Sequence, residues 1–344
     1  MSANMAAQLD LDVVENYLVK NLPGFSGPIE LHKFSVGQSN PTFRLTTPSG
    51  NYVLRRKPPG VLLKSAHAVD REYRVQKALA DTDVPVARMH LLCEDDDVIG
   101  SAFYVMENVE GRRFDDPRLP ELPMGDRRAV HDEMCRVLAA IHAVDIDAVD
   151  LSDYGPPGNY FERQVGRWSK QYEASKTDDI PEMDALSDWL QSNIPPDDGQ
   201  RTLVHGDYRI DNMLWHPDEP RVLAILDWEL STIGHPFADV GAVIMQWGMP
   251  PGSEGRGLAG VDRAAEGLIT DDEFVETYCR HRGLPGIDKF GFYLAFNYFR
   301  MGGILQGVLK RALDGNASNP ERAKKLGGFV PLFARAGLNA AKSV

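Results

Sequence analysis

The chain has 344 residues, of which 43% are hydrophobic, and its 37 basic and 50 acidic residues give a net charge of −13. This length is enough for one large domain or two smaller ones with a real core. The acidic excess argues against a nucleic acid or an anionic membrane as the main partner, although a local basic cluster could still bind phosphates.

The three cysteines, Cys93, Cys135 and Cys279, are scattered and lack CxxC spacing, which predicts neither a disulfide framework nor a zinc site. Reduced thiols are usual in cytoplasmic proteins. No stretch approaches the ~18 consecutive apolar residues of a membrane span, and the N-terminus lacks the basic and apolar regions of a secretion signal. We therefore expect a cytoplasmic protein that begins with a helix near residues 9–17.

Three strands are predicted next, at Leu31–Ser35, Thr42–Thr46 and Tyr52–Arg56. Residues 36–41, VGQSNP, separate the first two strands. Gly, Ser and Asn there suit either an ordinary hairpin turn or a loop whose backbone N–H groups face an anion. Gln38, Ser39 and Asn40 are the candidate anion-binding residues of this loop.

The third strand ends in the basic run Arg55-Arg56-Lys57, and a helix is predicted over Ser65–Ala80. Glu72 lies inside that helix, where it is either a solvated helix former or the partner of a strand cation. Another strong strand run, Ser101–Val109, follows the helix and ends this part of the chain.

An amphipathic helix is predicted over residues 126–143. We assign its terminal His142 to capping or to the core, outside the site. Residues 151–200 are punctuated by Pro and Gly and carry aromatic side chains that either build a helical core or line a substrate pocket. These aromatic residues are Tyr154, Tyr160, Trp168, Tyr172 and Trp189.

The stretch 203–229, LVHGDYRIDNMLWHPDEPRVLAILDWE, contains two short apolar runs, Leu203-Val204 and Val222–Leu226. Both are predicted as buried strands, with a hairpin turn at the intervening prolines, so that polar side chains at the strand ends face one another. Asp207 and Asp227 at ~4 Å would repel by roughly 4 kcal/mol at an effective dielectric near 20. A bound divalent cation would reverse that repulsion, whereas a single Asp at a strand end is usually a turn residue.

Residues 248–262 are rich in Gly and Pro and predict either a lid or a surface loop. Two helices are predicted after it, at 271–282 and 288–312. The second combines apolar core positions with the basic residues Arg300, Lys310 and Arg311, which either contact an anionic acceptor or are solvated.

His-Gly-Asp-x-x-x-x-Asn, followed by a strand and Ile-x-Asp-Trp-Glu, resembles the aminoglycoside phosphotransferase and choline kinase family, a small-molecule branch of the protein-kinase-like fold. The resemblance implies Asp207 as catalytic base and Asn212 and Asp227 as Mg²⁺ ligands. Gly234 to Asp239, GHPFAD, resembles the family's Pro-x-x-Asp, whose Asp braces the catalytic loop.

The same resemblance places the phosphate-covering loop at residues 36–41 and a phosphate-binding cation at Arg55, where the family usually has Lys. Lys57 is the alternative cation. Glu72 would pair with Arg55. The adenine would bond to the carbonyl of Glu107 and the amide of Val109, main-chain contacts that leave no signature in a sequence.

The resemblance implies an α+β, bilobal protein-kinase-like fold. A small N-terminal antiparallel-sheet lobe, 1–108, would bind nucleotide, and a larger, mainly helical C-terminal lobe, 109–344, would carry catalysis and the acceptor. ATP and Mg²⁺ would bind between the lobes.

The expected activity is ATP-dependent phosphoryl transfer to the hydroxyl of a small molecule. The motifs FSVGQSNPTFRL, YVLRRKPPG, SAHAVDREYRVQKAL and LDWELSTIGHPFADVG resemble the kinase-like domain associated with acyl-CoA dehydrogenases, which implies hydroxyacyl-CoA acceptors. An aminoglycoside or another small alcohol is the alternative acceptor, and a catalytically silent nucleotide-binding scaffold is the alternative of another class. A homodimer is left open.

Overall fold

The computed structural model of the chain describes residues 9–34, 40–58, 68–252, 255–317 and 319–344. It divides into two compact units. The first comprises Met1–Phe114, Asp147–Leu151 and Asp211–Ser231. The second comprises Asp115–Ile146, Ser152–Ile210 and Thr232–Val344. The predicted domains, 1–108 and 109–344, divide the chain at one point, whereas the first compact unit also includes two later segments, Asp147–Leu151 and Asp211–Ser231.

The first unit is built on a five-stranded antiparallel sheet in the order β1-β2-β3-β5-β4. Its strands are β1 (Glu30–Lys33), β2 (Thr42–Thr47), β3 (Gly50–Arg56), β4 (Met89–Cys93) and β5 (Phe103–Glu107). Its helices are α1 (Leu11–Asn21), α2 (Val69–Ala78) and α3 (Asp96–Ile99). The predicted strands of this region and the two predicted helices are therefore present, although residues 59–67, which include the predicted start of α2, lie outside the described residues.

Alternation along the strands sends neighbouring side chains to opposite faces of this sheet. Phe103 and Val105 belong to the cluster that buries Val14 and Leu18 of α1. Tyr104 instead packs with Val69 of α2 on the other face. Because Arg55 is paired with Tyr104 across β3 and β5, its side chain shares the face that α2 covers.

The hairpin of the first unit corrects the predicted strand pairing. Its strands are β7 (Met213–Trp215) and β8 (Val222–Ile225), which are antiparallel. The run Leu203-Val204 lies in β6 (Thr202–Val204) and pairs with β9 (Thr232–Gly234), not with β8. The prediction was wrong because a tight turn at the two prolines joins only strands that flank it directly.

The second unit, apart from β6 and β9, is helical. Its helices are α4 (Met124–Ala143), α5 (Tyr160–Ser175), α6 (Pro181–Ser192), α7 (Phe237–Trp247), α8 (Asp271–Arg282), α9 (Phe290–Leu313), α10 (Pro320–Gly327) and α11 (Val330–Ala341). The helices predicted at 126–143, 271–282 and 288–312 are confirmed as α4, α8 and α9. Among the described residues, no helix is long and apolar enough to cross a membrane.

The aromatic residues predicted between 151 and 200 mostly serve the core of this unit. Tyr154, Trp168 and Tyr172 are buried, which confirms the core interpretation for these three. The loop predicted at 248–262 is described except for residues 253 and 254. Leu258 and Met249 are buried in it, and the Leu258 amide donates to the Trp247 carbonyl at 2.8 Å, so the loop is anchored to α7.

Candidate active site

An arginine surrounded by carboxylates forms the centre of the candidate site in the first unit. The Nε of Arg55 lies 2.9 Å from Glu72 Oε2, and its Nη2 lies 3.2 Å from Asp227 Oδ1 and 4.0 Å from Glu229 Oε2. The predicted ion pair with Glu72 is therefore present. Burial alone would lower the pKa of Arg55, but Glu72 and the other carboxylates raise it above its usual value. Arg55 is thus a fixed, charged group.

Glu72 holds this arginine in place because its own carboxylate is fully engaged. Glu72 is 1% exposed. It accepts hydrogen bonds from Asn40 Nδ2 at 2.8 Å and from the Tyr104 hydroxyl at 3.1 Å, in addition to the Arg55 pair. Burial raises the pKa of Glu72, and Arg55 opposes that rise. A buried carboxylate with two hydrogen-bond donors and an ion-paired guanidinium cannot rotate without losing one of these partners, so it fixes the arginine fork.

The loop predicted to cover the phosphates is only partly described. Gln38 and Ser39 lie outside the described residues. Asn40 is 1% exposed and its side-chain amide donates to Glu72, so any contact of Asn40 with a phosphate would have to come from its backbone. The alternative cation, Lys57, lies 3.6 Å from Asp70 instead. This geometry favours Arg55 over Lys57 as the inward cation.

Asp227 lies two residues after the end of β8, with a φ of 63°, in the left-handed region that Asp tolerates better than most residues. The amide of its neighbour Leu226 donates to the Asn212 carbonyl at 2.8 Å, so the hairpin brings the two predicted metal ligands to adjoining positions. One carboxylate and one amide oxygen fit Mg²⁺, which commonly takes one or two carboxylates and completes its shell with phosphate oxygens and water.

Residues 205–210, the first part of the predicted catalytic loop, belong to the second unit and are braced by Asp239, near the start of α7. The amides of His205 and Gly206 donate to Asp239 Oδ2 at 2.7 Å and Oδ1 at 2.9 Å. The φ of Gly206 is 82°, a conformation that a side chain would disfavour. Arg300 Nη2 donates to the Gly206 carbonyl at 3.1 Å. The bracing role expected for Asp239 is therefore visible in the hydrogen bonds.

His142 completes the brace. The sequence analysis assigned it to capping or to the core, and its burial confirms the core interpretation, but the analysis did not find this role. It is fully buried, with Nε2 at 3.3 Å from Asp239 Oδ2 and Nδ1 at 2.8 Å from the Tyr278 hydroxyl. Burial lowers the pKa of His142 and would raise that of Asp239, but hydrogen bonds from His142 and Gly206 hold the Asp239 pKa below its usual value. A neutral imidazole thus supports an ionised carboxylate. One signal in the sequence could have revealed this role: His142 is a polar residue on the apolar face of α4, because it lies four residues after the buried Leu138.

Asp207, the predicted base, is half-exposed on the braced loop. Its amide donates to His205 Nδ1 at 3.2 Å, and its Oδ1 lies 3.2 Å from Arg209 Nε. A carboxylate held by its backbone and open to solvent can orient an acceptor hydroxyl and take its proton. The structure therefore places Arg55, Glu72, Asn212 and Asp227 in the first unit and Asp207 in the second.

The predicted adenine contacts lie at the end of β5. Glu107 is the last residue of that strand, its amide donates to the Arg88 carbonyl at 2.9 Å, and its side chain accepts from the Arg88 amide at 3.3 Å. Val109 follows outside the strand. The contacts of adenine with Glu107 and Val109 stay a prediction.

Comparison with known proteins decides the family. A model described as the phosphotransferase enzyme family matches residues 30–293. The chain belongs to this family. A solved protein from Ralstonia eutropha, named as a candidate aminoglycoside phosphotransferase, is 49% identical, with a TM-score of 0.90 over 97% of this chain and 99% of that one. Aminoglycoside phosphotransferase APH(4)-Ia, solved with AMP-PNP and hygromycin B, is 19% identical with a TM-score of 0.61, over 94% of this chain and 98% of that one, and shows the shared fold alone.

Curated relatives of this phosphotransferase-family chain carry other names. Acyl-CoA dehydrogenase family member 11 of Gallus gallus is 44% identical over 97% of this chain and 44% of its own length. Family member 10 of Mus musculus is 46% identical over 90% of this chain and 29% of its own length. The chain thus spans less than half the length of these relatives. The predicted α+β, protein-kinase-like fold class and the predicted family are both confirmed.

Proposed function

We propose that this chain transfers the γ-phosphate of ATP to the hydroxyl group of a small acceptor, and that the acceptor is a hydroxyacyl-CoA. The observation that carries the reaction class is the Asp239 brace, which fixes Asp207 on a rigid loop. The Arg55 cluster supports it, because a catalytically silent fold would not need a buried carboxylate to hold an arginine beside Asp227, a predicted metal ligand. Solved relatives that bind AMP-PNP support ATP as donor.

Each residue has a separate role in this reaction. Arg55, held by Glu72, would contact the α- and β-phosphates of ATP. Asn212 and Asp227 would hold Mg²⁺, which when bound neutralises phosphate charge. Asp207 would orient the acceptor hydroxyl and accept its proton. Positioning and charge neutralisation supply most of the rate in phosphoryl transfer, which agrees with a site built from fixed, mutually bonded side chains.

Two observations favour a hydroxyacyl-CoA as acceptor. The curated relatives are named acyl-CoA dehydrogenases and extend well beyond the matched region, so a kinase joined to them would act on the same class of thioester. In addition, arginines gather beside α5 and α9 of the second unit although the chain is acidic overall. The guanidinium carbons of Arg167 and Arg300 lie 5.5 Å and 5.8 Å from the Trp168 ring centroid.

The pKa of Tyr160 also reflects the charges of these arginines. Burial raises the pKa of Tyr160 to about 12; Arg300, Arg163 and Arg167 act against that rise, and Asp239 adds to it. Because Arg300 also bonds the carbonyl next to Asp207, this charge lies at the catalytic loop. A polyanionic thioester such as a CoA ester is attracted to such a surface, whereas a polycationic aminoglycoside is repelled.

Two alternatives make different predictions. An aminoglycoside kinase would phosphorylate polycationic sugars in spite of the arginines. A silent scaffold, suggested by Arg in place of the usual Lys, would bind ATP without transferring phosphate. The deciding experiment incubates the chain with ATP and Mg²⁺ and a panel of hydroxyacyl-CoAs, aminoglycosides, choline and sugars.

The panel is read by ADP release and by the mass gain of one phosphate on the acceptor, with Asp207→Asn as the inactive control. Hydroxyacyl-CoA phosphorylation that depends on Asp207 supports the proposal. Phosphorylation of aminoglycosides alone would defeat the acceptor assignment. Stabilisation by ATP without transfer to any acceptor would defeat the reaction itself.

A further inference from the structure

One face of helix α9 leads away from the predicted catalytic loop and is partly open to solvent. Arg300, Ile304, Gly307 and Arg311 follow one another at intervals of three or four residues, which places them in one row along the helix. Ile304 and Gly307 are half-buried, and Arg311 is exposed. Arg300 begins the row at the loop, because its Nη2 donates to the Gly206 carbonyl at 3.1 Å. The row therefore leads from the loop to the far end of α9.

Gly307 leaves a gap in this row, and two hydrogen-bond donors border the gap. A Cβ built on Gly307 would lie 4.0 Å from Arg311 Nη1 and 4.0 Å from Gln171 Nε2 of α5. Apart from the helix's own backbone and the two chain neighbours of Gly307, no other atom of the described residues comes within 4 Å of that position. A guanidinium and an amide thus converge on backbone that no side chain covers.

The charge around this gap suits an anion. Within the described part of the chain, neither Gln171 nor Arg311 makes a side-chain hydrogen bond or an ion pair. Helix α9 contains no Asp or Glu, and the first carboxylate after it, Asp314, is paired with Lys310 at 2.8 Å. A guanidinium without a carboxylate partner, beside an amide donor, can bind two oxygens of a phosphate group at once.

The distance from the catalytic loop to the gap suits the acceptor that we propose. Gly307 follows Arg300 by seven residues, which is about 10 Å along the helix axis. The side chain of Arg300 adds to this distance, because helical side chains lean towards the start of their helix. The pantetheine arm of a CoA ester has about thirteen bonds between its sulfur and its first phosphorus, and spans about 15 Å when extended, at ~3.5 Å for every three bonds. A thioester near Arg300 would therefore bring its phosphates near Gly307.

We propose that Arg311 and Gln171 bind a phosphate group of the CoA acceptor over Gly307, and that the row from Arg300 to Gly307 lies along its pantetheine arm. This inference rests on the proposed function and extends it, because it states how the chain would recognise the CoA part of the acceptor. The half-buried Ile304 offers apolar surface to the methyl and methylene groups of the arm. Arg311 and Gln171 thus determine specificity and take no part in the chemical step.

The test compares a hydroxyacyl-CoA with the same hydroxyacyl group on N-acetylcysteamine, a thioester that lacks the phosphates. Arg311→Met should raise KM for the CoA ester by about 10- to 100-fold, because it removes a charge-assisted hydrogen bond to phosphate, and should leave KM for the truncated ester within about threefold of wild type. Gly307→Glu should have the same effect, because its carboxylate would occupy the gap and repel phosphate. Arg335→Met is the matched control: it removes a positive charge from the surface of α11, where Arg335 pairs with Glu182, and should match wild type with both esters.

Calorimetric binding of free CoA, which carries no acyl hydroxyl, separates this inference from the proposed reaction. CoA should bind the wild-type chain, with a Kd that rises in Arg311→Met by about the same factor as KM for the CoA ester. The inference is overturned if the wild-type chain binds no CoA, if Arg311→Met raises KM for the CoA ester less than about threefold, or if it raises KM for both esters equally. Transfer of phosphate to neither ester, by a chain that binds CoA through Arg311, would instead overturn the proposed function and leave the phosphate subsite in place.

Discussion

Replacing Asp239 by Asn should cost both stability and activity, because the carboxylate accepts from more donors than an amide can. In the native chain it accepts from the amides of His205 and Gly206 at 2.7 Å and 2.9 Å, and it faces His142 Nε2 at 3.3 Å. An Asn side chain offers one oxygen, and its NH₂ group would point at one or two of those donors.

Each buried donor left unpaired costs about 1–3 kcal/mol, so the loss for Asp239→Asn should be about 2–5 kcal/mol in the free energy of unfolding. Urea unfolding followed by circular dichroism measures it, and phosphate transfer should fall together with it because the loop that carries Asp207 loses its brace. Asp207→Asn is the matched control. That residue is half-exposed, so its variant should lose turnover while staying within about 0.5 kcal/mol of wild type.

The reasoning fails if the free energy of unfolding of Asp239→Asn falls by less than about 1 kcal/mol, the smallest cost of one buried donor without an acceptor. It also fails if stability falls as expected but turnover is unchanged, since the brace would then support the fold without positioning the base. A selective loss in Asp207→Asn and a combined loss in Asp239→Asn are both required.

Asp227→Asn should reduce turnover at least about 10²-fold, because it removes a negative charge at the proposed metal site. The melting temperature of this variant should stay near that of the wild type. Normal turnover would exclude Asp227 as a metal ligand. Burial lowers the pKa of His131 to about 4. An unfolded His takes up its proton near pH 6.5, whereas the buried His131 does so only near pH 4. The free energy of unfolding of the native chain should therefore fall by about 3 kcal/mol more than that of His131→Gln between pH 6.5 and 4. Equal pH dependence of the two free energies would contradict this. Gly241→Ala places a Cβ 2.8 Å from Asn297 Nδ2 and should lower the free energy of unfolding in urea by about 1–3 kcal/mol. Gly166→Ala is its control: the new Cβ meets nothing within 4 Å, so the free energy of unfolding should not fall.

Periodicity and motif spacing were enough to predict most of the fold. The strands around Arg55, the helices α4, α8 and α9, and the hairpin at the two prolines all have local signals, since alternation, amphipathic spacing and turn residues act over a few positions. The Arg55–Glu72 pair was predictable because the resemblance fixed the spacing of a strand cation and a helical carboxylate.

Contacts between distant segments could not be predicted in this way. The pairing of β6 with β9 joins residues about thirty apart, and the short strand β7 was hidden inside what looked like a loop. The bond between His142 and Tyr278 spans 136 positions and leaves no periodic signal. The structure favours Arg55 over Lys57 because Arg55 lies 2.9 Å from Glu72 whereas Lys57 lies 3.6 Å from Asp70, and neither distance can be read from the sequence.

The return of residues 211–231 to the first unit has a consequence for biosynthesis. At about 5–20 residues per second, the ribosome needs roughly 6–23 s to proceed from residue 114 to residue 231. During that time helix α2 lacks the segment around Trp228 against which it packs in the finished unit. Until residues 211–231 are made, one helix of the nascent sheet is therefore incompletely covered, and a fragment that ends near residue 114 would be a poor substitute for the complete first unit.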